Sequence, residues 1–95
     1  MQSTKFSLGQ VVVTAAVNVA IADDPAIAKL VPQLIARHHA GDWGDLEPCD
    51  KKENEFSLTR KLRLFSSYNI PGDKKIWIIT EADRSSTCVL FPKDY

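Results

Sequence analysis

The sequence predicts an α+β domain, with helices in its first two thirds and an antiparallel sheet at its end. Three observations predict it. Between Leu62 and Phe91, strand-forming runs are separated by two tight-turn signals. Between Asp24 and Gly41, apolar residues recur at helical spacing between a start and a stop signal. The chain has 95 residues, too few to divide its core between two stable domains.

The first element is a short strand over Gly9–Val13, which is rich in β-branched residues. Thr14 suits the N-cap of a brief helix over Ala15–Ala22, yet Val17, Val19 and Ile21 also alternate as in a strand, and both readings stay open. The next helix is better marked. Asp24 is an N-cap, and Pro25 suits the first helical position, where its missing N–H costs nothing. Ile27, Leu30, Val31, Leu34, Ile35 and His38 then form one stripe. Pro32 removes a backbone hydrogen bond and crowds the carbonyl of Ala28, so a kink or a junction of two shorter helices is expected there. Gly41 stands where a left-handed residue ends a helix, after Arg37, His38 and His39, whose heads suit a helix C-terminus.

Asp45 or Glu47 can cap a third helix, with Pro48 near its start and its end near Thr59. Its apolar stripe is thin, with Cys49, Phe56 and Leu58 as members, so it reads as a surface helix. The meander follows. Leu62, Leu64, Ser66 and Tyr68 face one way, and Arg63, Phe65, Ser67 and Asn69 the other. Pro71-Gly72-Asp73 makes the first turn and Asp83-Arg84-Ser85-Ser86 the second. Ile76–Ile79 is apolar on both faces, as a central strand is. Thr87–Phe91 is the last strand and Pro92 stops it. The expected architecture is an antiparallel meander of three strands, or four with the N-terminal one, packed on one face by two or three helices.

Composition narrows the function classes. Twelve basic and twelve acidic side chains cancel, so no global field draws the chain to nucleic acid or a membrane. Charge is unevenly placed. Asp42, Asp45, Glu47, Asp50, Glu53 and Glu55 crowd one stretch, and Arg60, Lys61, Arg63, Lys74 and Lys75 the next, as solvated faces of adjacent elements do. Cys49 and Cys88 lack CxxC spacing and are too few for a disulfide scaffold. The opening MQSTKFSLGQ has no basic region leading into an apolar one, so a secretory signal is not expected. The run Val11–Ala22 is too short to span a bilayer. A cytoplasmic location with reduced thiols is the expectation.

Few constellations offer chemistry. His38, His39, Asp42 and Asp45 are metal-ligand types within one turn. Each also has a structural job, because His38 continues the stripe, Asp42 holds the turn, Trp43 plugs the core and Asp45 caps a helix. No metal site or cofactor is expected. Glu81, Asp83 and Arg84, in ITEADRS, form a charged hairpin end that a rigid sheet could present for binding. The alternative has Asp83 and the serines bonding the turn while Arg84 pairs with Glu81 or Asp83. Ser66, Ser67 or Tyr68 with His38 or His39 as base would make a nucleophile, but no glycine-flanked strained turn supports it.

ARHHAGDWGDL (Ala36–Leu46) followed by LFSSYNIPGDKKIWIITEADRSSTCVLFPKDY (Leu64–Tyr95) resembles a family of small "plasmid-related" proteins from bacterial plasmids, phages and integrated elements. Pro32 and Cys88 depart from that family's usual pattern. The resemblance implies a prokaryotic cytoplasmic protein of mobile DNA. It implies no activity and no catalytic residue.

Three function classes follow. The first is a non-enzymatic module that binds a protein or a second copy of itself, using Glu81, Asp83 and Arg84 or a sheet face. Leu62, Leu64, Ile76, Ile78, Val89 and Phe91 can line one face, and Phe65, Trp77, Ile79, Cys88 and Leu90 the other. The helices of residues 15–59 can bury only one of them, so residues 1–22 cover the second or leave it as a patch. The second class is a small hydrolase or nuclease-like enzyme using His38, His39 and Asp42 or the Glu81–Arg84 turn. The third is a nucleic-acid binder through Arg60, Lys61, Arg63, Lys74 and Lys75.

Overall fold

The computed structural model describes residues 6–95. In chain order the elements are β1 (Gln10–Val13), α1 (Ala15–Asp23), α2 (Pro25–His39), α3 (Pro48–Arg60), β2 (Leu64–Ile70), β3 (Lys74–Thr80) and β4 (Ser86–Leu90), with a 3₁₀ turn at Pro92–Asp94. The four strands make one sheet in the order β1-β4-β3-β2. The fold is α+β, as expected.

The sheet is mixed, which corrects the all-antiparallel expectation. β2, β3 and β4 form the meander, whereas β1 pairs with β4 in parallel, Val12 opposite Cys88. Tight turns force β2, β3 and β4 to alternate in direction. β1 reaches the sheet through helices, so no hairpin sets its direction.

The ambiguous stretch after β1 is helical. The Thr14 side chain accepts the Val17 N–H at 3.3 Å, and one face of α1 buries Val17. Its Oγ1 also donates to Asp94 at 2.9 Å, tying the start of α1 to the C-terminal turn. Asp24 accepts the Ala26 N–H at 3.0 Å and starts α2. This helix runs through Pro32 as one element, against the alternative of two shorter helices meeting there. Pro32 is exposed, so the Ala28 carbonyl it strands can meet water, while Ile27, Val31, Leu34 and His38 stay packed on either side. Gly41 ends α2 at φ 84°, where its N–H meets the His38 carbonyl at 3.0 Å and the Asp42 N–H meets the Arg37 carbonyl at 2.9 Å.

Val17, Ile27, Val31 and Leu34 of α1 and α2 pack on Tyr68, Ile70, Ile76, Ile78 and Val89 of the sheet. Leu62, expected on that face, is exposed, and Phe91 is half-buried beside it. α3 takes no part in this core. It flanks the β2 edge, and the residues it buries are Asn54 and Ser57, where Cys49 and Phe56 were expected. Its N-cap position belongs to Glu47, which makes no side-chain cap bond.

A strand edge explains this polar face. Asn54 accepts the Phe65 N–H at 3.1 Å and donates to the Phe65 carbonyl at 2.5 Å. Further along, the Ser67 N–H meets the Trp43 carbonyl at 3.3 Å, and the Ser67 carbonyl accepts from the Asp45 N–H at 2.6 Å. Asp45 then accepts the Asn69 N–H at 2.8 Å, work that replaces its expected role as a helix cap. Gly44 lies so close to β2 that a Cβ there would overlap the Ser67 carbonyl, and its φ is 76°. The segment HHAGDWGD therefore closes the β2 edge.

Candidate functional site

The polar and aromatic side chains of the helix-ending segment all have structural partners. Arg37 Nε donates to Asp42 at 2.7 Å, and that guanidinium holds the Asp42 carboxyl below its ordinary value. His39 Nε2 bonds the Phe6 carbonyl at 2.8 Å. Trp43 is buried, stacks near Phe6, and donates Nε1–H to Glu55 at 2.7 Å. Among the described residues no group of three His, Cys, Asp or Glu side chains converges to hold a metal.

His38 and Ser66 do meet, with Nδ1 and Oγ 2.5 Å apart. Nε2 lies 2.9 Å from Thr80 Oγ1, which is 2.8 Å from Thr87 Oγ1, and Thr87 donates to the Leu8 carbonyl at 2.7 Å. Because a carbonyl only accepts, the order of donation is fixed. Thr87 gives its one proton to Leu8, so Thr80 donates to Thr87 and His38 donates Nε2–H to Thr80. Nδ1 is then the acceptor from Ser66. His38, Ser66, Thr80 and Thr87 are all 0% exposed, and burial pushes the His38 pKa down to about 3. A neutral imidazole sealed from solvent serves as a satisfied polar core, and no substrate can approach it. Tyr68 donates to the Asp42 carbonyl at 2.6 Å, and burial raises its phenol to about 12.

The charged hairpin end is arranged differently from the expectation. Arg84, at φ 61°, pairs with neither carboxylate. Its Nη1 donates to the carbonyls of Leu62 at 2.6 Å and Glu81 at 3.0 Å, and its Nη2 to that of Ser57 at 3.2 Å. The guanidinium clamps the β3–β4 turn to the C-terminus of α3, where the Ser57 carbonyl also accepts the N–H groups of Lys61 and Leu62. Asp83 accepts the Ser85 N–H at 3.0 Å, as turn chemistry predicted, and Ser85 lowers its pKa. Glu81 instead meets Arg63 at 3.4 Å.

The basic residues divide between the ends of β2. Arg60 lies over Phe56 and Lys61 is the left-handed cap of α3, both near Leu64. Lys74 and Lys75 sit opposite Ile70 and Asn69, at the far end of a seven-residue strand, roughly 20 Å away.

The remaining site is the sheet face turned away from α1 and α2. Strand alternation and register put Phe65, Ile79, Cys88 and Val12 in one row across all four strands, with Leu90 and Trp77 in the next. Phe65 and Trp77 meet edge to face at 5.0 Å, and Tyr95 stands 6.0 Å from Trp77. Arg63 donates to the Tyr95 hydroxyl at 2.9 Å. These residues with Ile79 enclose a cleft of about 350 Å³. On this face Phe65 and Cys88 are half-buried and Ile79 and Leu90 are buried, and the C-terminal turn brings the exposed Tyr95 to it. Trp77 is half-buried. Cys88, on the same face, has its thiol pKa raised by burial, whereas Cys49 is exposed on α3.

Beside this cleft, Lys74, Lys75, Phe91, Pro92 and Lys93 line a second hollow of about 310 Å³. Asp73 and Asp94 are the nearby carboxylates, and Asp94 Oδ2 already accepts from Thr14 Oγ1 and the Phe91 N–H. Sequence reasoning placed Phe65, Trp77, Ile79, Cys88 and Leu90 on one face. It missed Tyr95 and Lys93, which a proline-terminated tail folds in from outside the strands. No helix among the described residues is long and apolar enough to cross a membrane. Comparison with protein-family models, with curated proteins and with solved structures finds no match to this chain.

Proposed function

We propose that this protein is a non-enzymatic binding module that docks a protein segment on the open face of its sheet. One observation carries the reading, the Arg63–Phe65–Trp77–Ile79–Tyr95 cleft with the apolar row beside it. Aromatic side chains anchored on a rigid sheet supply contact area at low entropic cost. Charge complementarity selects the occupant. Among the described residues no ion pair engages Lys74, Lys75 or Lys93, and Lys75 lies two residues, roughly 7 Å, from Trp77 along β3. A segment with a bulky apolar residue followed by carboxylates fits both hollows. The family resemblance adds a setting, an accessory protein of a mobile element acting in the host cytoplasm. Glu81 and Arg84 contribute to this module by shaping the sheet end.

The test is selection from a random peptide display library on the folded protein. Peptides pairing an apolar anchor with Asp or Glu should emerge, and Lys75→Glu with Lys93→Glu should weaken them at least tenfold. Binding that is indifferent to both Trp77→Ala and the lysine reversals would sink the proposal. So would tighter binding of an oligothymidylate than of any selected peptide, which would reassign the face to single-stranded nucleic acid.

A further inference from the structure

The two edges of the sheet are finished in opposite ways. Phe65, Ser67 and Asn69 of the β2 edge all have partners from Asn54, Trp43 and Asp45. At the other edge, the Gln10 and Thr14 N–H groups donate to the Ser85 and Val89 carbonyls, both at 3.0 Å. In a parallel ladder, Val11 and Val13 then turn their N–H and C=O groups away from β4. No hydrogen bond from another described segment reaches them. β1 is short, at four residues, but Gln-Val-Val-Val contains no lysine, proline or inward charge to protect the edge.

The surrounding surface is electrically unusual. Residues 6–22 contain no charged side chain, in a chain that is 25% charged. Much of the stretch is nonetheless at the surface. Val11, Val12 and Val19 are 42%, 39% and 57% exposed, and Ala15 and Ala22 continue the outer stripe of α1. A two-fold interface sets a surface against its own copy, so any charge near the axis meets a like charge. One carboxylate, Asp94, reaches the end of β1 through its bond to Thr14, but the neutral residues 10–13 themselves bring no charge to the axis.

We propose that β1 pairs antiparallel with β1 of a second copy across a two-fold axis, joining two four-stranded sheets into one. The Val11 and Val13 backbone groups of each copy then find partners. α1 lies on the face to which Val11 points, so the pairing also draws the two α1 helices together through Val19. The strip comprises a four-residue strand and one stripe of a nine-residue helix, below the roughly 20–30 residues per side of a standard interface. The dimer is therefore a weak, concentration-dependent one. It is independent of the open-face reading, because β1 extends the sheet sideways and leaves the aromatic cleft free.

Sedimentation equilibrium from about 1 µM to 1 mM tests this. The mass should rise from 10.6 kDa toward twice that value. Val11→Lys places like charges at the axis, and Val11→Pro removes an N–H that bonds nothing among the described residues. Both should remain at 10.6 kDa throughout, with wild-type circular dichroism. Amide exchange at Val11 and Val13 should slow at least tenfold between the lowest and highest concentrations. That measurement on the wild-type protein decides the matter if either variant fails to fold. A single 10.6 kDa species at every concentration, a dimer that both variants leave intact, or concentration-independent exchange overturns the proposal.

Discussion

Replacing Thr80 by Val tests the buried chain that runs from Ser66 through His38, Thr80 and Thr87 to the Leu8 carbonyl. The two side chains have nearly the same shape, so the change removes one hydroxyl and little packing. Thr80 Oγ1 accepts from His38 Nε2 at 2.9 Å and donates to Thr87 at 2.8 Å. Without it, Nε2–H is a donor with no acceptor at a site that is 0% exposed. An orphaned buried donor costs about 1–3 kcal/mol, and the lost bond to Thr87 about 1 kcal/mol more. The sum, about 2–4 kcal/mol, is a large part of the 5–15 kcal/mol typical of a domain. It corresponds to a fall in Tm on the order of 10–30 °C for a chain of this size. Urea unfolding at pH 7, followed by far-ultraviolet circular dichroism, measures it. Ser66→Ala, which strands the Nδ1 acceptor and no buried donor, should cost less, about 1–2 kcal/mol. A Thr80→Val protein within about 0.5 kcal/mol of wild type would refute the reasoning. So would a long-range proton–nitrogen spectrum that places the imidazole proton on Nδ1.

Two further outcomes follow from the same interior. The His38 pKa is near 3 in the fold against 6.5 when exposed, so the unfolded chain binds the extra proton first on acidification. Stability should therefore be whole above about pH 6.5 and fall between there and pH 3, by at most about 1.4 kcal/mol per pH unit from this group; a His38→Gln variant with an unchanged acid limb in urea titrations would remove His38 as the cause. Trp43→Ala should lose about 3–5 kcal/mol, whereas Trp43→Phe, which keeps the ring against Phe6 but loses the bond to Glu55, should lose about 1–2 kcal/mol; thermal unfolding that leaves the alanine variant as stable as wild type would show that this side chain does not plug the core.

The elements whose signals are local were legible in the sequence. Asp24-Pro25 and Gly41 bound α2 because a cap and a left-handed residue act on backbone groups a few residues away. Pro71-Gly72-Asp73 and Asp83–Ser86 set β2, β3 and β4 antiparallel for the same reason, and the two-sided apolar run of β3 identified a central strand. What the tertiary structure decided depends on groups distant in sequence. β1 joined β4 in parallel across more than seventy residues, and no turn could announce that. α3 buried Asn54 and Ser57 because it meets a strand edge, where backbone polar groups need partners, whereas hydrophobic periodicity anticipates an apolar neighbour. Arg84 looked like half of a local ion pair, yet the carbonyls of Ser57 and Leu62 take its protons at the end of α3. His38 and Ser66 could be listed as chemistry from sequence, but burial decides whether an imidazole and a hydroxyl form a reagent or a core. Here α2 and the sheet close over them, and the accessible apolar chemistry lies on the opposite face of the sheet, where Tyr95 folds in beside Trp77.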